Sequence, residues 1–134
     1  ENYQKAAEGG NSGAYVNLGM MYTNGQGVVQ DYAKALQYFQ KAAEMGNAGA
    51  YNNLGTMYRD GQGVEKDYAK ALQYFQKAAD MGNSYGYLNL GAMYANGDGV
   101  GQDKEMAQHY FQKACDLGNQ TGCQYVEYIK KGGK

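Results

Sequence analysis

"AYNNLGTMYRDGQGVEKDYAKALQYFQKAADMG", residues 50–82, is most of a unit that this chain repeats. Written in rows of 36, the sequence aligns without a gap as 11–46, 47–82 and 83–118. Rows one and two are identical at 28 of 36 positions, rows two and three at 19 of 36, so the third row is the divergent one. Residues 1–10 match the end of a row and residues 119–134 match the start of another. A fixed period of this length marks a stacked array of supersecondary units.

Each row holds two apolar periodic segments. In "SGAYVNLGMMYTN" (12–24), Ala14, Leu18, Met21 and Tyr22 recur at spacings of four, three and one, which is one face of a helix. In "DYAKALQYFQKAAEM" (31–45), Ala35, Leu36, Phe39, Ala42 and Ala43 share a face. Neither segment alternates as a strand would, and the chain has no proline to break a helix. The motifs "NGQGV" (24–28), "DGQGV" (60–64) and "NGDGV" (96–100) follow the first helix, where glycine closes a helix in the left-handed conformation. Asp31, Asp67 and Asp103 then stand at N-cap positions for the second helix. The unit is therefore helix A, a glycine loop, helix B and a tight turn such as "MGN" (45–47). Gly19, Gly55 and Gly91 recur inside helix A, at a cost of roughly 1 kcal/mol each against alanine. A close helix–helix approach is the reason expected for them.

The pattern LG-x-MY, G-x-G-V, D, A, YF-x-KA and G resembles the Sel1-like repeat, a longer relative of the tetratricopeptide repeat, over essentially the whole chain. The resemblance implies an all-α, right-handed α-solenoid of antiparallel helix pairs, and a role as an adaptor that holds protein partners. The expected division is a partial repeat at 1–10, ending a helix B; three repeats at 11–46, 47–82 and 83–118; and a capping helix in 119–134. In that last segment Val126 and Glu127 replace the Leu-Gly pair, and Glu127 would not tolerate a following helix B. Residues 120–131 therefore read as the end of the array. Glu1 falls inside a helix B, which predicts further repeats upstream. The third row resembles a subset of the family, the helicobacter cysteine-rich proteins, through "KACDLGNQTGC" (113–123). That resemblance implies a secreted or periplasmic protein, and β-lactamase activity has been attributed to some of those relatives.

Composition narrows the function. Net charge is −1 and there is no run of lysine or arginine, which argues against nucleic acid as a partner. No stretch of 18 apolar residues exists to span a membrane. The fifteen tyrosines include in-register sets, Tyr22, Tyr58, Tyr94 and Tyr38, Tyr74, Tyr110, which read as core rather than as stacking platforms. A serine β-lactamase needs S-x-x-K, but the two serines begin "SGAY" at Ser12 and "SYGY" at Ser84. Residues 94–105 partly mimic a calcium loop, but Tyr94 occupies its first ligand position. No metal, cofactor or catalytic residue is expected.

Cys115 aligns with Ala43 and Ala79, and Cys123 with Tyr15, Tyr51 and Tyr87, positions that face each other across the turn from helix B to helix A. A bridge there would close a loop of about nine residues and contribute roughly 2.5 kcal/mol on the chain-entropy model. It would also imply an oxidising compartment. Two buried free thiols remain the alternative. Zinc lacks ligands, since His109 is the only histidine and lies about 240° around the helix from Cys115.

The varying positions of helix A form a single stripe. It holds Val16, Met20, Thr23 and Asn24; then Asn52, Thr56, Arg59 and Asp60; then Tyr85, Leu88, Ala92, Ala95 and Asn96. In tetratricopeptide arrays the corresponding stripe lines a concave groove for peptides. The expected function is therefore non-catalytic binding of a protein or peptide in that groove, by a monomer, with Arg59 as the groove's cation. The unvarying Asn17, Asn53 and Asn89 are expected to bond the neighbouring repeat. The other functions weighed are an enzyme of β-lactam or peptidoglycan chemistry, a receptor for a peptidoglycan fragment, and an engineered repeat without a natural partner.

Overall fold

The computed structural model describes residues 11–132. The partial repeat expected at 1–10 lies outside them. The described residues form seven helices: α1 (Ser12–Asn24), α2 (Tyr32–Glu44), α3 (Ala48–Asp60), α4 (Tyr68–Asp80), α5 (Ser84–Asn96), α6 (Lys104–Asp116) and α7 (Gln120–Lys130). No strand occurs among these residues. Each helix packs on the next along the chain, and α3 also touches α5. Helix-A elements α1, α3, α5 and α7 thus alternate with helix-B elements α2, α4 and α6 in an α-solenoid.

The caps fall where the motifs put them. Gly25, Gly61 and Gly97 end the helix-A elements at φ 69°, 71° and 74°, a left-handed geometry that costs glycine nothing. The carboxylates of Asp31, Asp67 and Asp103 accept from the backbone N–H of Lys34, Lys70 and Met106. A second set of caps was not anticipated. Asn11, Asn47, Asn83 and Asn119 cap the four helix-A elements by accepting from the N–H of Ala14, Ala50, Gly86 and Gly122. Two of these asparagines also tie units together. The Asn47 amide donates to Ser12 Oγ at 3.1 Å and the Asn119 amide to Ser84 Oγ at 3.4 Å. Both serines of the chain are thereby engaged at helix starts.

The core repeats with the chain. Ala35, Phe39 and Ala42 of α2 are buried with Leu54 and Met57 of α3, Ala71 and Phe75 of α4 with Leu90 and Met93 of α5, and Ala107 and Phe111 of α6 with Val126 of α7. The helix-A glycines serve one close contact. A Cβ on Gly19, Gly55 or Gly91 would lie 2.5, 2.5 or 2.7 Å from the ring of Phe39, Phe75 or Phe111. It is thus a helix-B phenylalanine ring, rather than a neighbouring backbone, that fills the space of the missing side chain.

The in-register tyrosines pack against the core clusters, as expected, but at their margin rather than fully inside them. Tyr38 stacks between Tyr15 and Tyr22, Tyr74 between Tyr51 and Tyr58, and Tyr110 between Tyr87 and Tyr94, with centroids 5.6–6.2 Å apart. All nine rings are half-buried. A phenol has an apolar body and a hydroxyl that needs a partner, so the edge of a helix pair suits it better than the centre. Lys34 and Lys41 lie over Tyr22 and Tyr15, and Lys70 and Lys77 over Tyr58 and Tyr51, at 5.2–5.9 Å.

Candidate functional site

The helix-A stripe runs past three phenylalanine rings, and the structure covers each ring differently. Between α1 and α3, Met20, Thr23, Asn24, Asn53 and Thr56 line a cleft of about 130 Å³ that reaches Phe39. The Thr23 hydroxyl turns back and donates to Gly19 O at 2.8 Å, which leaves a short residue at the mouth. Met20 is 46% exposed there.

Between α3 and α5 the equivalent of Thr23 is Arg59, whose guanidinium carbon lies 5.8 Å from the centroid of Phe75. Arg59 Nε and Nη2 donate to the two oxygens of Asp60 at 3.0 and 3.3 Å. Its Nη1 donates to Asn89 Oδ1 at 3.3 Å, and Asn89 Nδ2 donates to Asn52 Oδ1 at 2.7 Å. Arg59, expected as the groove's cation, is thus held by neighbouring side chains. Its charge is engaged by Asp60, and its plane lies over Phe75. Asn89 bonds the neighbouring repeat as expected, but among the described residues the Asn17 and Asn53 side chains make no such hydrogen bond.

Between α5 and α7 the equivalent residue is Ala95. Here Ala92, Ala95 and Asn96 face Tyr125, Tyr128 and Ile129 across a cleft of about 310 Å³, with Phe111 and Lys104 completing the lining. Tyr125 packs on Phe111 with centroids 4.9 Å apart and is still 43% exposed; Tyr128 is 49% exposed.

The thirteen stripe residues therefore separate into local groups. Met20, Thr23, Asn24 and Thr56 meet in the first cleft. Asn52, Arg59 and Asp60 belong to the network. Ala92, Ala95 and Asn96 meet in the last cleft. Val16 and Leu88 are half-buried against core clusters, while Tyr85 is 58% exposed. Tyr125, Tyr128, Ile129 and Lys104 were missed. Tyr128 stands 36 positions after Ala92, so continuing the stripe into the last helix would have found it.

The cysteines belong to α6 and α7, two of the helices that line this last cleft. Cys115 near the end of α6 is joined to Cys123 in α7 by a disulfide, with Cα atoms 4.7 Å apart. Next to it, a Cβ on Gly122 would lie 2.7 Å from Phe111 O, so α7 seats closely on α6. Two tyrosines outside the stripe have perturbed acidity. Burial, then repulsion from the neighbouring Tyr58 and Tyr51, raises the Tyr74 pKa above 10.0. Tyr110 is raised in the same way, by burial first, then by Tyr94, Tyr87 and Asp80. Among the described residues no cluster of three or more metal-ligating side chains occurs, and no helix is long and apolar enough to cross a membrane.

Stacked helix pairs with a continuous side-chain face define a solenoid repeat scaffold. The Sel1 repeat model matches residues 1–11, 12–47, 48–83 and 84–119, and the chain belongs to the Sel1 repeat family. Among solved structures it is similar to a protective antigen of uropathogenic Escherichia coli displaying an SLR fold (40% identity, TM-score 0.87, covering 98% of this chain and 28% of that one). It is also similar to a Sel1 repeat protein from Oxalobacter formigenes (34%, 0.88, covering 98% and 54%). A third is the Helicobacter pylori cysteine rich protein B (32%, 0.71, covering 92% and 94%). The chain spans about a quarter and about half of the length of the first two. No curated protein matches it. Sel1 repeats generally mediate protein interactions, and proteins of the family are generally non-enzymatic scaffolds. The disulfide and the Helicobacter neighbour are compatible with an extracellular location.

Proposed function

We propose that this chain is a non-catalytic scaffold that holds a protein or peptide partner along its helix-A face, in a periplasmic or secreted setting. The observation that carries the reading is the pair of clefts over Phe39 and Phe111 on one stripe of side chains. Apolar hollows with a few convergent polar groups are the usual form of a binding site. Exposed Met20, Tyr85, Tyr125 and Tyr128 supply the anchors, of the types that dominate interfaces.

The test is partner capture from periplasmic and surface extracts with the parent chain and with Met20→Glu combined with Tyr85→Glu. Both positions are exposed, so the melting temperature should stay within a few degrees. Leu88, half-buried against the α5–α7 cluster, is the wrong place for a charge. The reading expects capture to vanish in the double variant; an unchanged set of captured proteins would discard the helix-A face.

A further inference from the structure

We propose that the cleft between α5 and α7 seats one large apolar or aromatic side chain of a partner peptide, and that Lys104 pairs with a carboxylate adjacent to that side chain. This rests on the helix-A face being the partner surface. The occupant's chemistry follows from the lining. Six of the eight lining residues are apolar or aromatic: Ala92, Ala95, Phe111, Tyr125, Tyr128 and Ile129. At about 310 Å³ the cleft is at the small end of ligand sites, suited to a side chain or two rather than a whole cofactor. Its single charge is an ammonium.

That ammonium is out of place by the rules of the repeat. In the two earlier units the position is Tyr32 and Tyr68, whose stems press against the next unit's loop. A Cβ on Gly63 would lie 2.7 Å from Tyr32 Cβ, and one on Gly99 2.6 Å from Tyr68 Cβ. Lys104 is instead the first residue of α6, where a positive charge adds to the positive end of the helix dipole. Among the described residues no carboxylate lies within 4.0 Å of it, the one ion pair there being Arg59–Asp60. The adjacent Asp103 carboxylate is engaged in capping Met106 N–H, and Glu105 lines a separate hollow with His109 and Lys130. Lys104 lines this apolar slot, so an incoming carboxylate would meet a lysine that no carboxylate of the described residues pairs. An exposed pair of this kind contributes selectivity and register more than affinity, which comes from the buried side chain.

The experiment titrates the full chain with three end-blocked peptides, acetyl-Gly-Asp-Phe-Asp-Gly-amide and its versions with Asn or Lys in place of both Asp. Methyl NMR signals of Ala92, Ala95 and Ile129 are followed beside those of Met20, Thr23 and Thr56. The proposal expects the Asp peptide to shift the first group, about threefold more tightly than the Asn peptide and about tenfold more tightly than the Lys peptide. Lys104→Glu should invert that order. Ala95→Arg, which copies the residue covering Phe75, should weaken binding about tenfold or more; should it fail to fold, the exposed Tyr128→Glu replaces it. No shift at Ile129 with any peptide, or an order that Lys104→Glu leaves unchanged, overturns the proposal. Shifts confined to Met20, Thr23 and Thr56 overturn it but keep the helix-A face, whereas shifts in neither group remove both. Ile129 signals that move with protein concentration alone assign the cleft to a second copy of the chain, and overturn the proposal as well.

Discussion

Two junctions of this solenoid share one floor and end in opposite ways. Between α3 and α5, Phe75 lies against Gly55 and beneath Arg59, whose hydrogen bonds run to Asp60 and Asn89. Between α5 and α7, Phe111 lies against Gly91 in the same way, but Ala95 leaves it beside an open cleft, and a disulfide holds the flanking helix. The glycine–phenylalanine contact is the invariant part of the unit. All three rings are buried, and a single helix-A position, occupied by Thr23, Arg59 or Ala95, differs beside them: Arg59 lies over Phe75, while clefts adjoin Phe39 and Phe111. The array is therefore regular as a scaffold and irregular as a surface.

The largest expected effect tests the shared floor. Gly55→Leu and Gly91→Leu should each overpack their phenylalanine, at a cost of about 1–3 kcal/mol in urea unfolding. The comparison sharpens the forecast. Phe75 is held under Arg59, while Phe111 has a cleft to move into, so Gly91→Leu should be the milder of the two. Equal costs would show that the cleft does not soften the floor, and a neutral Gly55→Leu would mean that the packing described here is wrong.

A smaller effect should separate the junctions. Replacing Cys115 and Cys123 together by alanine removes a link over a short loop, expected to cost up to about 2.5 kcal/mol. The loss should concentrate in α7, which packs on α6 alone among the helix-B elements. Hydrogen exchange of amides in 124–129 should accelerate while those of α3 stay protected. Equal acceleration in both helices would mean that the bridge stabilises the array as a whole. Alkylation of the unreduced, denatured parent chain should add no label; two labels would return the cysteines to free thiols.

The smallest effect should not distinguish the junctions at all. Tyr74 and Tyr110 hold their protons more tightly in the folded chain than the usual tyrosine value of 10.0. Their contribution is therefore fully present below about pH 10 and is lost as pH rises through the raised folded values. Stability measured by denaturant should fall above that point, and Tyr74→Phe and Tyr110→Phe should flatten the fall alike. A slope carried by one of them alone would show that the two stacks are not equivalent.

Much of the scaffold was legible beforehand because its signals are local. The glycine at each helix-A end and the capping Asp31, Asp67 and Asp103 reflect constraints within a few residues along the chain, and the repeat of Gly55 in every row flags a contact whose partner, Phe75, lies in the next helix. The asparagine caps are equally local, but in "MGN" the same asparagine also completes a tight turn, and the turn is what the motif signals first. What escaped on the surface was of another kind. Arg59 lies on the predicted stripe, yet its partner Asn89 is thirty positions away, so its engagement could not be seen in a row. Tyr125, Tyr128 and Ile129 escape because Val126 and Glu127 break the repeat pattern and make the last segment read as a cap. The tyrosines were in register as expected, but the sequence could not say that their rings would stack at the edge of each pair.

The sequence by itself determined the repeat, the alternation of helices, their caps and the family, since periodicity and capping are properties of neighbouring residues. Only the tertiary structure decided which phenylalanine lies beneath a guanidinium, which cation is already engaged and where two helix-A elements part to leave a cleft. Those depend on side chains that meet across separate repeats, at distances the order of residues does not record.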